Sequence, residues 1–365
     1  MDLSELETLY GVGGPVLSLH INVSRDAEDA DHAIGLRWEN ARRAARADGA
    51  GEDTVAAVDE IVGQTRGIAG PHGQAIFAAD GRVLDEFPVA STPPDYDLRV
   101  GPLADPMLYL RGARSHVPFV LGVVDSRGAD LTAEYPSGHR VRRQVVGEDK
   151  PTHKVREGGY HHNQMQRAVD ERVKQNLKKV AQEVSRYADR ADAEVVAIAG
   201  EVGLRGELAD LLPRRLRGAV VDVDTGARAS GSEESPLNEE LDRRLAEQEE
   251  SHVAAVVAEF ERGRGADDRV AEGTGAIVRS LRRGQVGTLL WAADLAARDD
   301  LWIGPGGQDL AVSDTEARDL GIQHPERETA EAALLRAAVA TSADLVFVAP
   351  DRLALQDGVG ALLRF

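Results

Sequence analysis

The chain has 365 residues, a net charge of −19 and no cysteine. Its length predicts more than one domain, and the lack of thiols excludes disulfides, thiolate zinc sites and cysteine nucleophiles. The overall acidity excludes a uniformly basic nucleic-acid-binding protein. The N-terminal sequence is acidic where a secretion signal is basic, and the apolar runs are too short to span a bilayer. We therefore expect a cytoplasmic protein with no membrane partner.

The first region, residues 1–115, predicts an α/β domain. The stretch PVLSLHINV alternates apolar and polar residues, as a strand does, and GQAIFAADGRVLDEFPV predicts a hairpin around its DGR turn. Between them, two segments have the helical period and end near glycines: DHAIGLRWENARRAARADG and EDTVAAVDEIVGQTRGI. These elements predict a fold class but no chemistry.

The second region, residues 116–232, predicts a mixed sheet packed with helices. VPFVLGVVDSRGADLTAEYPSGHRVRRQVVG carries two or three strands that turn at DSRG and PSG. A helix from about Gln164 to Arg190 follows, and then strands alternate with a short helix. The small, polar stretch from Thr225 to Pro236 predicts a linker.

The third region, residues 233–365, begins with a long polar helix. RVAEGTGAIVRSLRRGQ predicts a further helix, and apolar strands alternate with helices from there to the last residues. This order predicts a small three-layer α/β sandwich. We therefore expect three domains of α/β (α+β) class: 1–115, 116–232 and 233–365.

A basic segment lies between His139 and Lys178 in this acidic chain. It contains ten Lys or Arg residues and five Asp or Glu residues. Isolated positive charge of this kind predicts contact with a polyanion, and the competing interpretation is a solvated helix face. We predict phosphate contacts from eight of the cations: Arg140, Arg142, Arg143, Lys154, Arg156, Arg167, Lys174 and Lys178.

Within the basic segment, KVREGGYHHNQMQR places two glycines before a group of His, Asn and Gln side chains. The residue types leave three roles open: an RNA contact, a metal site or a hydrolytic centre. For a metal, His153, His161 and His162 lack a further ligand at a recognised spacing. We therefore predict no metal ion here.

Other glycine-rich and acidic patterns have simpler explanations. GVGGPV and GTGAIV lack the strand, loop and helix order of a nucleotide site, so we expect no cofactor and no small-molecule substrate. The turn signal around Gly306-Gly307-Gln308 explains that tripeptide without a function. Carboxylates near strand ends could bind magnesium for phosphodiester cleavage, but turn chemistry explains them as well and we favour it. These carboxylates are Asp125, Glu201, Asp222 and Asp224.

Three segments together resemble the archaeal and eukaryotic class 1 peptide release factor and its relative Pelota. FVLGVVDSRGADL is similar to the first hairpin of that family's middle domain, and a basic stretch, a Gly-Gly loop and a long helix follow in the same order. EFERGRGADDRVAEGTGAIVRSLRRGQVGTLLWAADL is similar to the start of the C-terminal domain, and DGVGALLRF to its closing strand. The resemblance covers about residues 116–365 and is greatest to the divergent bacterial branch that includes the ribosome hibernation factor Balon.

The resemblance implies three domains that together mimic a tRNA in the ribosomal A site. It implies a ribonuclease-H-like middle domain and a ribosomal-protein-like α/β/α sandwich at the C-terminus. It also implies the ribosome, through its rRNA, as the partner, and elongation factor Tu as a candidate protein partner. The N-terminal region contains no Asn-Ile-Lys-Ser motif and does not match the stop-codon-reading domain.

Release factors of this family carry Gly-Gly-Gln at the loop tip, where the glutamine helps to place a water against the peptidyl ester. This chain has Gly158-Gly159-Tyr160 at the corresponding place, and tyrosine has no amide. We therefore expect a non-catalytic hibernation or stalled-ribosome factor, without a catalytic residue, whose loop can stack on RNA bases. The predicted RNA-binding loop comprises Gly158, Gly159, Tyr160, His161, His162, Asn163, Gln164 and Gln166.

Two enzymatic alternatives stay open. One is a peptidyl-tRNA hydrolase, or peptide release factor, that uses the amide of Gln164 or Gln166. The other is a metal-dependent nuclease that uses Asp125 and Asp222.

Overall fold

A computed structural model describes residues 1, 3–26, 29–64, 72–89, 93–113, 117–135, 140–147, 160–223, 234–266, 269–293 and 300–365. These residues form two compact units. The terminal unit combines Met1–Arg114 with Ser251–Phe365, and the middle unit is Ser115–Glu250. The division into three domains stays a prediction, and most of the predicted linker from Thr225 to Pro236 lies outside the described residues.

The N-terminal part of the terminal unit is an antiparallel sheet with strand order β3-β2-β1-β4. Its elements are a 3₁₀ helix (Ser4–Tyr10), β1 (Val16–Asn22), α1 (Ala30–Ala47), α2 (Glu52–Asp59), β2 (Gly73–Ala79), β3 (Arg82–Val89), β4 (Tyr96–Gly101) and α3 (Met107–Ala113). Strand alternation in β1 turns Leu17, Leu19 and Ile21 toward α1 and α2, where they are buried. The same alternation turns Ser18 and His20 to the other face of the sheet.

The middle unit is built on a five-stranded sheet with order β7-β6-β5-β8-β9. Its elements are β5 (Phe119–Asp125), β6 (Gly128–Glu134), β7 (Arg140–Val146), α4 (Tyr160–Ala191), β8 (Val195–Gly200), α5 (Val202–Leu211), β9 (Val220–Asp222) and the first part of α6 (Glu234–Ala266). β5 to β7 are antiparallel, whereas β8 pairs with β5 and with β9 in parallel. This is the predicted ribonuclease-H-like arrangement, which is thereby confirmed.

Helices cover both faces of the middle sheet. On one face, the apolar stripe of α4, which includes Leu177 and Val184, packs on Val120 and Ile198 of the central strands. On the other face, Leu241 of α6 packs in a cluster with residues of β5 and β8. The central strands are therefore buried on both sides, whereas β7 forms an edge.

The C-terminal part of the terminal unit has a mixed sheet of order β10-β16-β11-β15 and a small sheet of order β13-β12-β14. Its elements are β10 (Val270–Glu272), α7 (Thr274–Arg282), β11 (Val286–Ala292), β12 (Leu301–Ile303), β13 (Leu310–Ala311), α8 (Asp314–Asp319), β14 (Glu326–Glu328), α9 (Ala330–Ala340), β15 (Asp344–Val348) and β16 (Val359–Leu363). Phe260 of α6 packs on one face of the mixed sheet, and α7 and α9 pack on the other. The predicted three-layer sandwich is thus confirmed.

Two local predictions differ from the structure in this part. The residues before Gly273, predicted as helix, form strand β10, because Gly273 has a φ of 79° and separates the strand from α7. The small sheet was not predicted, since strands of two or three residues carry too little periodicity to be recognised.

Both ends of the chain contribute to one core in the terminal unit. Leu6 of the 3₁₀ helix, Phe77 of β2, Trp291 of β11 and Leu334 of α9 belong to the same buried cluster. The N-terminal residue also pairs with β15: its amino group donates to Leu345 O, and its own carbonyl accepts from the Leu345 N–H, both at 2.9 Å.

None of the helices in the described part of the chain combines the length and apolar character that a bilayer crossing requires.

Candidate nucleic-acid interface

Strand β7 carries the first part of the basic segment along an edge of the middle sheet. Val141 and Val145 pack toward α4, whereas Arg142 and Arg143 are exposed. Arg143 lies opposite Leu131, which also belongs to the core beneath α4. Because side chains alternate along a strand, Arg142 and Arg143 belong to opposite faces of the sheet. These two arginines, which were predicted as part of one cluster, therefore lie on two different surfaces.

Helix α4 carries the second part of the basic segment. Lys174 and Lys178 are exposed, and their spacing of four residues places them on one side of the helix. Arg167 lies two turns earlier in the same helix. Within the described ranges, the side chains of Arg142, Arg143, Lys174 and Lys178 form no hydrogen bond or ion pair. Their positive charge is therefore not neutralised by these residues.

The basic segment leaves the sheet at Gly147, which is held in place from two sides. Its N–H donates to Arg127 O at 2.7 Å, and a Cβ at this position would lie 2.2 Å from the Cγ of Asn176. Asn176 is buried in α4, and its Nδ2 donates to Ser126 O at 3.2 Å. Gly147 is thus fixed between the β5–β6 turn and α4.

The sequence reasoning missed this attachment. Asn176 was available as a signal, because it interrupts the apolar stripe of α4 between Val173 and Val180. A buried amide in such a stripe indicates a specific polar partner. Its identity, however, depends on the tertiary contact with the β5–β6 turn.

Six of the eight predicted loop residues belong to the helix in the structure. α4 begins at Tyr160, four residues before the predicted start at Gln164, because no helix-breaking residue follows Gly159. The predicted loop residues Tyr160, His161, His162, Asn163, Gln164 and Gln166 are therefore helical. Their contact with RNA stays a prediction.

The remaining predicted contacts fall where the structure gives no side-chain description. Gly158, Gly159, Lys154 and Arg156 lie outside the described residues. For Arg140 and Arg167 only the strand and the helix that contain them are described.

Two of the four acidic residues near the strand ends, Asp125 and Asp222, have structural partners. Asp125 Oδ1 accepts the N–H groups of Arg127 and Gly128 at 2.7 and 2.9 Å, as in a turn of this kind. Asp222 forms an ion pair of 2.9 Å with Arg205, a buried side chain. Asp224 lies outside the described residues.

In the described part of the chain, no three His, Asp or Glu side chains come together to hold a metal ion. The nuclease alternative therefore gains no support from the arrangement of Asp125 and Asp222.

The second Gly-Gly pair occupies a tight turn between β12 and β13. A Cβ at Gly307 would lie 2.6 Å from the Cβ of Ala340, so the close approach requires glycine. Gln308 is exposed, and its Nε2 donates to Leu281 O at 3.3 Å. Gly306-Gly307-Gln308 thus has a structural explanation, as the sequence predicted.

The middle of the chain is similar to a known family of proteins. Residues 118–266 match the family model described as bacterial archaeo-eukaryotic release factor family 2. An uncharacterized protein of Mycobacterium tuberculosis, from two strains, is 28% identical over 380 residues, covering 100% of this chain and 97% of the relative.

Two solved structures are similar over most of the chain. The archaeal translation termination factor aRF1 is 15% identical, with 100% of this chain and 99% of that chain covered and a TM-score of 0.28. Dom34 of S. cerevisiae, a translation termination-like factor that interacts with Hbs1, is 11% identical, with 81% and 79% covered and a TM-score of 0.44. Scores this low add no argument about function.

The middle of the chain, residues 118–266, is therefore similar to the bacterial archaeo-eukaryotic release factors of family 2. The resemblance predicted from the three sequence segments is thereby confirmed. The matched residues include β7, α4 and the whole basic segment.

Proposed function

We propose that this chain is a ribosome-binding, tRNA-mimicking translation factor that occupies the A site without releasing a peptide. A hibernating or stalled ribosome is the target in this proposal. One observation carries it: within the family-matched residues 118–266, Gly158-Gly159 is followed by Tyr160. A phenol cannot present the carboxamide that the family's glutamine presents to the hydrolytic water.

The exposed cations of the middle unit support the contact with rRNA. Arg142 and Arg143 on β7, and Lys174 and Lys178 on α4, lie on either side of the segment 148–159 in the chain. Phosphates that meet such cations release counterions, which favours binding. The acidity of the rest of the chain opposes this only weakly, because charges beyond a Debye length of about 8 Å are screened at physiological ionic strength.

The partners follow from the same proposal. The rRNA of the A site would contact the basic segment, and the acidic surfaces would face protein, with elongation factor Tu as the candidate. Action on the ribosome would also place the chain in the cytoplasm, as the sequence predicts.

Two assays test the proposal. Purified chain is sedimented with ribosomes from growing and from starved cells, and the same ribosomes carrying peptidyl-tRNA are tested for ester cleavage. We expect co-sedimentation without cleavage. Absence from the ribosome fraction under both conditions would refute the proposal.

Cleavage by the unchanged chain would instead favour the hydrolase alternative. Gln164→Ala and Gln166→Ala, each tested alone, would then identify the amide responsible. The variant Tyr160→Gln provides a matched comparison, because it recreates Gly-Gly-Gln at the family's position while the basic segment is unchanged. Equal ribosome binding by this variant is expected.

A further inference from the structure

A cavity of about 200 Å³ with both polar and apolar lining lies in the terminal unit, against the face of β1 that turns away from α1 and α2. Two cross-strand pairs of β1 and β4 form one wall: Ser18 lies opposite Arg99, and His20 lies opposite Asp97. Polar groups on this face are unusual, because neighbouring residues of the same sheet, such as Phe77, are buried in the core.

Both guanidinium groups at the cavity already have carboxylate partners. Arg99 donates to Glu328, whose side chain is fully buried. Arg111 Nη2 donates to Glu331 Oε1 at 2.8 Å. An anionic ligand would have to compete with these acids for the same cations, so the cavity does not favour an anion.

Two carboxylates at the cavity have no cationic partner of this kind. Among the described residues, neither Asp97 nor Asp105 forms an ion pair. Asp105 is held in place by its Oδ1, which accepts the Met107 N–H at 3.2 Å, and by its own N–H, which donates to Ser18 Oγ at 2.9 Å. Burial raises the pKa of the Asp105 carboxyl, while the Met107 N–H and the charge of Arg99 act to lower it. Asp97 and Asp105 thus line the cavity with carboxylates that form no direct ion pair among the described residues.

His20 supplies a second, independent observation that points to a ligand at this cavity. Its side chain lines the cavity and is only 5% exposed, yet within the described residues its Nε2 has no hydrogen-bond partner. Buried polar atoms in proteins are nearly always paired. Burial keeps this imidazole neutral, so one of its nitrogens can accept a hydrogen bond.

We propose that this cavity binds an alkylammonium group, with its charge near Asp105 and Asp97 and one N–H directed to His20. The side chains of Met107 and Leu108 complete the wall and provide apolar surface for the methylene stem. The group can come from a free amine or from a lysine side chain of a partner protein. A bare metal ion fits less well, because the described His, Asp and Glu residues form no cluster that could hold one.

Calorimetry with the full chain tests this proposal directly. The probes are 1,4-diaminobutane and its uncharged analogue 1,4-butanediol. We expect the diamine to bind and the diol not to bind, because only the ammonium compensates the carboxylates. Asp105→Asn should weaken diamine binding by at least about tenfold, the loss expected for one charged hydrogen bond. The control Asp319→Asn removes an exposed carboxylate from α8 and should leave binding unchanged.

Thermal unfolding separates a ligand site from a purely structural role for Asp105. Asparagine can still accept the Met107 N–H, and it removes a buried charge that lacks an ionic partner. Asp105→Asn should therefore unfold at the same or a higher temperature than the unchanged chain, while the rise that the diamine produces is lost. A marked fall in unfolding temperature would assign Asp105 to the fold instead and overturn the proposal.

A third probe distinguishes the two sources of the ammonium group. N-acetyl-lysine methylamide carries the same stem and charge on a peptide unit. Tighter binding of this probe than of the diamine identifies a lysine side chain, and the reverse order identifies a free amine. If neither probe binds, or if the diol binds as well as the diamine, the proposal is wrong.

Discussion

The two units of this protein differ in whether their charged side chains are paired and buried or unpaired and exposed. In the terminal unit, the buried Glu328 of β14 forms an ion pair with the half-buried Arg99 of β4. In the middle unit, Arg142, Arg143 and Lys174 are exposed, without an ion pair among the described residues.

This difference predicts that the paired charges control stability and that the exposed cations control binding. In a buried ion pair, each charge is stabilised by the opposite charge of its partner. Removing one of them leaves the other uncompensated and lowers stability. An exposed cation is already hydrated and contributes little to folding, but it can exchange its counterions for a phosphate. Substitutions should therefore change stability in the terminal unit and binding in the middle unit.

The largest effect is expected from Glu328→Ala. This change leaves Arg99 without its partner and removes the acceptor of the Leu103 N–H, 3.1 Å away. The loss in the free energy of unfolding should be about 3–5 kcal/mol, measured by urea denaturation. Glu326→Ala, an exposed position on the same strand, is the control and should change stability by less than about 0.5 kcal/mol. Equal effects at the two positions would contradict the contrast between buried and exposed charge.

The second test uses the pH dependence of stability. Burial lowers the pKa of His20 to about 4, compared with about 6.5 for a histidine in water. The unfolded chain therefore binds the proton first, and the stability that neutral His20 contributes is lost as pH falls from about 6.5 to about 4. By linkage, this loss amounts to about 3 kcal/mol. Asp105 acts in the opposite direction, since its pKa is raised in the folded state.

The variant His20→Gln isolates the histidine contribution. The difference in unfolding free energy between the unchanged chain and this variant should shrink as pH falls through that window. His32→Gln, at an exposed position of α1, should instead follow the unchanged chain at every pH. A constant difference for His20→Gln would mean that the histidine is not buried in its neutral form.

The third test concerns the exposed cations. Arg142→Glu combined with Arg143→Glu should weaken ribosome binding by about tenfold. The double variant should also reduce the slope of log K against log salt concentration by the amount expected for about two phosphate contacts. The unfolding free energy should change by less than about 0.5 kcal/mol per site. Arg82→Glu combined with Arg283→Glu, at exposed positions of the terminal unit, is the control. If both pairs weaken binding equally, the basic segment is not the rRNA-facing surface.

The single variants sharpen the same test. Because Arg142 and Arg143 lie on opposite faces of the sheet, one RNA surface should depend on one of them more than on the other. Equal losses of ribosome binding in both single variants would indicate that RNA contacts both faces of the sheet at its β7 edge.

The smallest effect is expected from Gln308→Ala. Its amide donates one hydrogen bond of 3.3 Å to Leu281 O, so the change in stability should be about 1 kcal/mol or less. Ribosome binding should be unchanged. Gly307 is unsuitable for this test, because any side chain there would meet Ala340. Loss of binding with an intact fold would assign a function to the second Gly-Gly pair.

Particular elements show how far the sequence could be interpreted. The period-2 alternation of PVLSLHINV predicted β1, and the order of strands and helices from residue 116 onward predicted the mixed sheet of the middle unit. The ribonuclease-H-like arrangement of that sheet was implied by the family resemblance. The start of α4 was predicted four residues too late, since His and Asn have weak helix propensity and only their neighbours decide whether the helix continues. Strand β4 was not predicted, because prolines lie on both sides of it and favour turns and loops.

The sequence by itself determined the local elements, the family resemblance and the replacement of glutamine by Tyr160 after the Gly-Gly pair. These depend on periodicity, turn residues and motif order, which are properties of neighbouring residues. Only the tertiary structure showed that both ends of the chain share a core, that Asn176 packs against Gly147 and bonds to the β5–β6 turn, and that Asp105 and His20 line one cavity. Such contacts join residues far apart in the chain, and their energies depend on burial, which no local pattern specifies.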